Sequence, residues 1–340
     1  MARVIVPRSA MLAVLVVLLI VLGVGLWLFV PVPVAEDLSP QTIWIEPGDS
    51  FSSVCDRLVE GGLVRDRWGL LLLARIAGLE RRLPAGEVTL HPGMSVWQIV
   101  WRLSSTEART VDVTIPEGLR GSQIAGILQE KVGMDSAAFV VALVDSGLIR
   151  EFGIQVPDLE GFLFPDTYNL YYGMDAADVV RRMVGRFWEV WDDSMAARGK
   201  ELGWTMQQAV TMASIIQGEV MVPEEAGLVS SVYHNRLKAG MLLQADPTIQ
   251  YIIPDGPRRL LKDDLKIESP YNTYLHRGLP PGPICNPGLW AIVAALYPAD
   301  TGYLYFVAKG DGWHAFNATE EGHWRDKRKF QRVRRTVGIK

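Results

Sequence analysis

The sequence predicts an α+β protein carried behind one N-terminal membrane helix, and three observations predict it. A charge-free apolar run comes first. A compact stretch of short strand-like and helix-like patterns follows, and then a longer stretch opens on an alternating strand and continues mainly as amphipathic helices. At 340 residues the chain has room for two domains plus accessories. Its formal net charge of -4 supplies no extended basic face, so nucleic acid is not an expected partner.

Residues 9–35, "SAMLAVLVVLLIVLGVGLWLFVPVPVA", hold no charged residue. That length crosses the roughly 30 Å hydrocarbon core as a helix. Arg3 and Arg8 precede the run, and Glu36 and Asp37 follow it. The positive-inside rule then leaves residues 1–8 in the cytoplasm and everything after residue 36 outside. A cleaved signal peptide is the rival reading. The run is longer than a usual signal core, and Trp27 and Phe29 stand where a small-residue cleavage site is wanted, so an uncleaved single-pass anchor is expected. The proline-rich "VPVPVAEDLSPQ" continues as a semi-rigid spacer, assigned beyond the anchor to residues 36–41.

Residues 42–106 read as a small α+β module. Strand "TIWIEPGDS" leads to helix "FSSVCDRLVEGG", with Asp49 or Ser50 as N-cap and Gly61-Gly62 as stop. A second helix, "RWGLLLLARIAGL", follows. Then "LPAGEVTLHPGMSVWQIVWRLSS" gives a strand, a Pro-Gly turn and a third helix with Val96, Ile99, Val100 and Leu103 on one side. The order strand, "PGDS", helix and strand, "PGMS", helix is an imperfect internal repeat and resembles the small LysM modules that bind N-acetylglucosamine polymers. The module reads either as sugar-binding or as a compact spacer.

Residues 107–340 form the larger expected domain. It opens with "RTVDVTIPEGLRGSQIAGILQEK", a strand alternating Val111, Val113 and Ile115, a turn at Pro116-Glu117-Gly118 and an amphipathic helix. Glu117 is expected near the N-terminus of that helix, where an acid is stabilised. The basic C-terminal "RDKRKFQRVRR" reads as a solvated helix face with Phe330 and Val333 turned inward, ahead of a contact with anionic lipid or polymer. Cys55 and Cys285 fall in different expected domains; an oxidising compartment permits a disulfide between them but nothing indicates one, and they read as two buried thiols. The five histidines show no HxxxH or HxH spacing, so no metal and no cofactor is expected.

The stretch "TMASIIQGEV" (211–220) places an acid in the last turn of an apolar helical run. Met212, Ile215 and Ile216 lie seven, four and three positions before Glu219, so the carboxyl shares their apolar face. Held against Ile and Met and kept from water, it is harder to ionise, and its pKa is expected to rise toward the range of a general acid near neutral pH.

Here the chain resembles the MltG/YceG-like endolytic murein transglycosylases. The words that carry the resemblance are "EGFLFPDTY" (160–168), "MASIIQGE" (212–219), "VYHNRLKAGMLLQADPT" (232–248), "SPYNTYLHRGLPPGPICNPG" (269–288) and "YLYFVAKGDGWHAF" (303–316). The resemblance implies that Glu219 is the catalytic acid. The family's helix usually ends Glu, Lys, Glu, whereas Gln217 and Gly218 stand at the two positions before the acid here. Gln217 lies about 200° around the helix from Glu219 and points away from the same site. Gly218 costs roughly 1 kcal/mol in a helix interior and allows another chain segment to come close.

The implied reaction cuts the β-1,4 bond from N-acetylmuramic acid to N-acetylglucosamine without water, as the muramic C6 hydroxyl closes onto C1 to leave a 1,6-anhydro end. One carboxyl serves both proton transfers. Hydrolases need a carboxylate pair, about 5 Å or about 6.5–9.5 Å apart. Asp246 reads either as a turn-forming acid or as a holder of a sugar hydroxyl or of Glu219. Tyr271, Asn272, Thr273 and Tyr274 supply the amide, hydroxyl and ring faces expected to bind saccharide. His314, Glu160 and Asp166 read first as structural groups, and Ser214, about 140° from Glu219, as no direct partner. The rivals are a hydrolytic muramidase and an inactive membrane-tethered glycan-binding scaffold. The resemblance implies peptidoglycan strands as substrate, the bacterial inner membrane as location with the catalytic domain periplasmic, and peptidoglycan polymerases as working partners.

Overall fold

The structure is a computed structural model. It describes residues 39–337 except 47–48, 65–66, 77, 79–82, 84–85, 105–109 and 255, together with the helical positions Leu15, Leu18, Leu19 and Gly23. The expected cytoplasmic N-terminus, nearly all of the expected anchor and most of the expected spacer lie outside the described residues. Among the described residues, no helix is long and apolar enough to cross a membrane. The chain divides into two units: residues 1–111 with 170–173, and residues 112–169 with 174–340.

In the smaller unit, β1 (Gln41–Ile45) pairs antiparallel with β2 (Gly86–Leu90), in register from Gln41 opposite Leu90 to Ile45 opposite Gly86. Helices α1 (Phe51–Glu60), α2 (Arg67–Ile76) and α3 (Val96–Ser104) accompany this ribbon. Ser50, not Asp49, caps α1: its side chain accepts from Ser53 N at 3.0 Å, while Asp49 pairs with Arg57. The alternating strand residues Val88 and Leu90 join Phe51, Val54, Leu58, Leu70, Leu73, Ile99 and Leu103 in one core. Each such side chain contributes roughly 1.5–3 kcal/mol of burial free energy.

The larger unit is mainly helical. It begins inside β3 (Thr110–Thr114) and holds the first three residues of β4 (Thr167–Tyr171), where Asn169 Nδ2 donates to Asp112 Oδ1 at 2.8 Å. Between them run α4 (Gly121–Val132), α5 (Ser136–Leu143) and α6 (Ser146–Glu151). Next come α7 (Ala176–Val190), α8 (Asp193–Glu201) and the central α9 (Met206–Glu219). Thr205 and Gln208 close a capping box at the start of α9, and every residue from Ala209 to Ile216 is buried. Buried on all sides, α9 behaves as a core helix whose position is fixed by its neighbours. It packs on α12 (Leu289–Leu296), and after a 3₁₀ turn at Pro223–Glu225 the chain returns as α10 (Ala226–Lys238). The short α11 (Asp246–Ile252) also packs on α9. A hairpin of β5 (Tyr305–Ala308) and β6 (His314–Asn317) is covered by the C-terminal α13 (Glu320–Val337). Phe330 of α13 lies against Gly310, while the side chain of Val333 lies outside the described residues.

One sequence expectation is corrected by this packing. Glu117 does not serve the N-terminus of α4; its carboxylate lies against Gly288 and accepts from Trp290 Nε1 at 2.5 Å, at the start of α12. The N-terminus of α4 is served by Glu160, whose two carboxylate oxygens each accept from Gly121 N at 3.1 Å. A buried carboxylate takes the nearest oriented N–H groups in space, not those nearest in sequence.

Candidate active site

The last residue of α9 is Glu219. The chain leaves the helix there because Val220 is extended (φ -92°, ψ 122°) and Pro223 follows in the next turn. Met212, Ile215 and Ile216 are fully buried beneath it. The side chain borders open cleft on one side and is enclosed by protein elsewhere. Burial, then the negative charge of Asp246, push its pKa up to about 7, and a hydrogen bond from Tyr233 pulls the other way. Tyr233 Oη of α10 donates to Glu219 Oε2 at 3.4 Å. Burial keeps the Tyr233 hydroxyl protonated, so it remains a donor.

Asp246 is brought to Glu219 by several tertiary contacts. Gly218 has no Cβ, and one placed there would meet Pro247 Cβ at 2.7 Å and Cγ at 3.1 Å. Glycine at 218 therefore lets the N-terminus of α11 close onto the end of α9. At the same end, Thr273 Oγ1 accepts from Ala245 N at 3.0 Å and pairs with Thr248 Oγ1 at 2.9 Å. Arg120 donates to Gln250 O at 2.6 Å and to Tyr251 O at 3.3 Å, fixing the other end of α11. Gln244 is left-handed at φ 52° and is held by its N–H to Thr273 O at 3.1 Å. A non-glycine residue there costs on the order of 1 kcal/mol. Tyr274 Oη donates to Asp246 Oδ1 at 2.5 Å.

Of the residues expected to bind saccharide, Asp246 and Tyr274 join Glu219 at the cleft; the others do not. Asn272 is fully buried, donates to Leu265 O and Ile267 O, and accepts from Tyr274 N. Thr273 is buried in the bonds to residues 245 and 248. Both fasten the loop that carries Tyr274. Tyr271 packs on Tyr251, ring centroids 4.9 Å apart, and borders neither cavity that reaches Glu219. Gln217 points away from the acid and accepts from Gly288 N at 2.9 Å. Ser214 also faces elsewhere, accepting from Ile284 N at 3.0 Å. Asp166 pairs with Arg186 at 2.7 Å. Glu160, pushed up to about 7 mainly by burial, also accepts from Asn286 Nδ2 at 2.7 Å and ties α4 to the 286 loop. Cys55 and Cys285 are buried free thiols. Among the described residues no cluster of His, Cys, Asp and Glu is arranged to hold a metal ion.

Two cavities meet at Glu219 and Asp246. One of about 530 Å³ is bordered also by Arg236, Tyr274, His314 and Trp324; the other, of about 500 Å³, by Arg120, Gly218, Pro247 and Gln250. The acid thus has a groove on either side of it. A third cavity, of about 590 Å³, lies by Trp204 and Gln208 at the opposite end of α9 and contains no carboxylate. A 14-residue helix separates the two ends by about 20 Å.

Two groups at the site, Tyr233 and Arg236, carry no local signal, and His314 reads first as structural. Tyr233 reaches Glu219 only because α10 folds back along α9. Arg236 spends its guanidinium on the carbonyls of Leu304, Leu242 and Leu243 while bordering the cleft. His314 donates its backbone N–H to both oxygens of Glu225 at 3.0 Å, and its Nδ1 lies 2.9 Å from Glu225 Oε2. The structural role expected for His314 and its place in the cleft wall are therefore compatible.

Fold and site define an α+β protein whose open groove carries a single buried carboxyl able to exchange a proton near neutral pH. The chain belongs to the YceG-like family, whose pattern it matches over residues 43–329. It is 30% identical to the endolytic murein transglycosylase of Bacillus subtilis, over 88% of this chain and 87% of that one. A 28% match to the endolytic murein transglycosylase of Streptococcus pneumoniae covers 84% of this chain and 57% of the longer relative. The crystal structure of a YceG-like protein from Listeria monocytogenes superposes with a TM-score of 0.59 at 29% identity, over 84% of this chain and 98% of that one.

Proposed function

We propose that this protein is an endolytic murein lytic transglycosylase with Glu219 as its sole proton carrier. The observation that carries the reading is the groove on both sides of a buried acid whose pKa is about 7. A strand can run past such an acid in both directions, as a cut inside a polymer requires. Protonated Glu219 gives its proton to the glycosidic oxygen as the bond from muramic C1 breaks. The muramic C6 hydroxyl closes onto C1, and its proton returns to the Glu219 carboxylate, which restores the acid without water. Asp246, engaged by Tyr274, adds to burial in keeping Glu219 protonated and serves as a partner for a sugar hydroxyl. Digestion of purified glycan strands followed by mass analysis tests this. Fragment masses should sum to that of the strand; a gain of one water per cut identifies a muramidase, and absence of cutting by folded protein identifies a binding scaffold.

The same reading places the enzyme in the bacterial inner membrane, with residues 9–35 as anchor, residues 42–106 as a LysM-like module and residues 107–340 as the periplasmic catalytic domain, working beside peptidoglycan polymerases. The charge-free run supports it, as do the described positions Leu15, Leu18 and Leu19, which are helical and more than half exposed. A tether confines Glu219 to a layer above the bilayer where strands are new. Export of the chain from residue 37 onward should leave activity on soluble glycan intact and weaken its control of strand length in cells. Normal strand length at native expression of that form would reduce the anchor to an export signal.

A further inference from the structure

Helix α2 carries an apolar stripe on the face turned away from its core. Trp68, Leu72 and Ile76 follow one another at intervals of four, which aligns them along one side of the helix, and they are 76%, 54% and 76% exposed. The opposite face, with Gly69, Leu70, Leu73 and Ala74, is buried. The stripe is therefore additional to what the core requires. On the adjoining α3, Trp101 is also exposed, at 56%, while Val96, Ile99, Val100 and Leu103 are buried. Neither helix contains an acid. Arg67 and Arg75 lie on α2 and Arg102 on α3; the Arg67 guanidinium pairs with Asp56 of α1 at 2.6 Å and sits 5.6 Å from the centre of the Trp68 ring.

We propose that this face of α2 and α3 docks on the outer surface of the membrane in which residues 9–35 are anchored, at the level of the phospholipid headgroups. The proposal rests on the anchor reading given above, and the tether supplies its main argument. Five residues, 36–40, separate the end of the apolar run from the first residue of β1. Fully extended, the six links from residue 35 to residue 41 span at most about 22 Å. The small unit thus stays within roughly its own diameter of the bilayer, and docking is an intramolecular event that weak contacts suffice to drive. Tryptophan favours this interface, and aliphatic residues beside it enter the acyl boundary. A saccharide is a poorer match: Leu72 and Ile76 offer no flat ring and no hydrogen-bonding group along the stripe.

The test uses the full chain in vesicles containing anionic phospholipid, with a nitroxide spin label on single added cysteines. Cys55 and Cys285 are buried, and burial raises both thiol pKa values, that of Cys55 to about 12, so the native thiols resist labelling. Labels are placed at Leu72→Cys, at Leu18→Cys in the apolar run, and at Val141→Cys, an exposed position on α5. Leu72→Cys should collide about tenfold less with an aqueous nickel complex than Val141→Cys does, as expected for a site about 5–10 Å into the interface. Adding Trp68→Asp and Ile76→Asp, both on exposed positions, should abolish that protection without unfolding the unit.

A lipid-immersed Leu18→Cys with Leu72→Cys as accessible as Val141→Cys overturns the docking proposal alone. Aqueous exposure of both labels overturns the docking proposal and the anchor together, and protection at 72 with exposure at 18 also overturns tethered docking, because the anchor on which it rests is gone. Spin–spin broadening at 72 between copies assigns the face to self-association. Protection at 72 by N-acetylglucosamine oligomers in the absence of vesicles assigns it to sugar. Either of these last results replaces the membrane as occupant.

Discussion

Replacing Glu219 by Gln preserves the shape of the side chain and removes its proton, and the structure sets the size of two separate consequences. The carboxyl rises from an ordinary value of 4.5 to about 7. Its ionised form is therefore disfavoured in the folded state relative to the unfolded chain. At about 1.4 kcal/mol per pH unit this displacement amounts to about 3 kcal/mol, an upper figure because Glu219 keeps one side open to the cleft. A raised carboxyl binds more protons folded than unfolded between pH 4.5 and 7, so wild-type stability falls as pH rises through that window. The Gln variant escapes the cost. It should match wild type near pH 4 and be more stable by up to about 3 kcal/mol at pH 8, as measured by urea unfolding at both pH values. Glu160 titrates in the same window, but it is present in both proteins and cancels in the difference. Turnover of glycan strands should fall by about 10²–10⁴-fold or more in the same protein, since one group serves both proton transfers. Equal stabilities at pH 8 would refute the buried-acid argument; wild-type turnover in the folded variant would refute the catalytic assignment.

Gly218→Ala places a Cβ against Pro247 and pushes the start of α11, with Asp246, away from Glu219; kcat on glycan should fall at least about tenfold, the order expected when a catalytic group is misplaced, and unchanged kcat would show that Pro247 gives way without moving the site. Asp246→Asn removes a charge that raises the Glu219 pKa, so the alkaline limb of the activity profile, where the acid is lost, should move to lower pH; a move upward contradicts the electrostatic role. Gln217→Glu keeps an acceptor for Gly288 N but adds charge near Glu117, which lies against the same glycine; turnover should stay within about threefold, because exposed or peripheral charge pairs are worth about 1 kcal/mol or less, whereas a hundredfold gain would mean that two carboxylates share the chemistry.

The helices of the small module, α4, α9 and the face on which Glu219 lies are legible in the sequence, because they follow from periodicity and from hydrogen bonds that reach only a few residues. Met212, Ile215 and Ile216 beneath the acid, Gln217 turned away from it and the apolar side of α3 are all consequences of 3.6 residues per turn. What surrounds the acid is set by packing between distant segments. Nothing near residue 219 announces that Tyr233 donates to it, that Pro247 fills the space left by the missing Cβ of Gly218, or that Asp246 arrives with Tyr274 attached. The run from Tyr271 to Tyr274 shows the limit most clearly. Four polar or aromatic side chains in a row look equally suited to sugar, yet Asn272 and Thr273 are consumed in holding their own loop, and only Tyr274 reaches the cleft. Residue type fixes what a side chain can bond to, but a loop has no period that fixes where it points. The direction comes from which buried donors and acceptors in other segments must be satisfied, and that is known only once those segments have met.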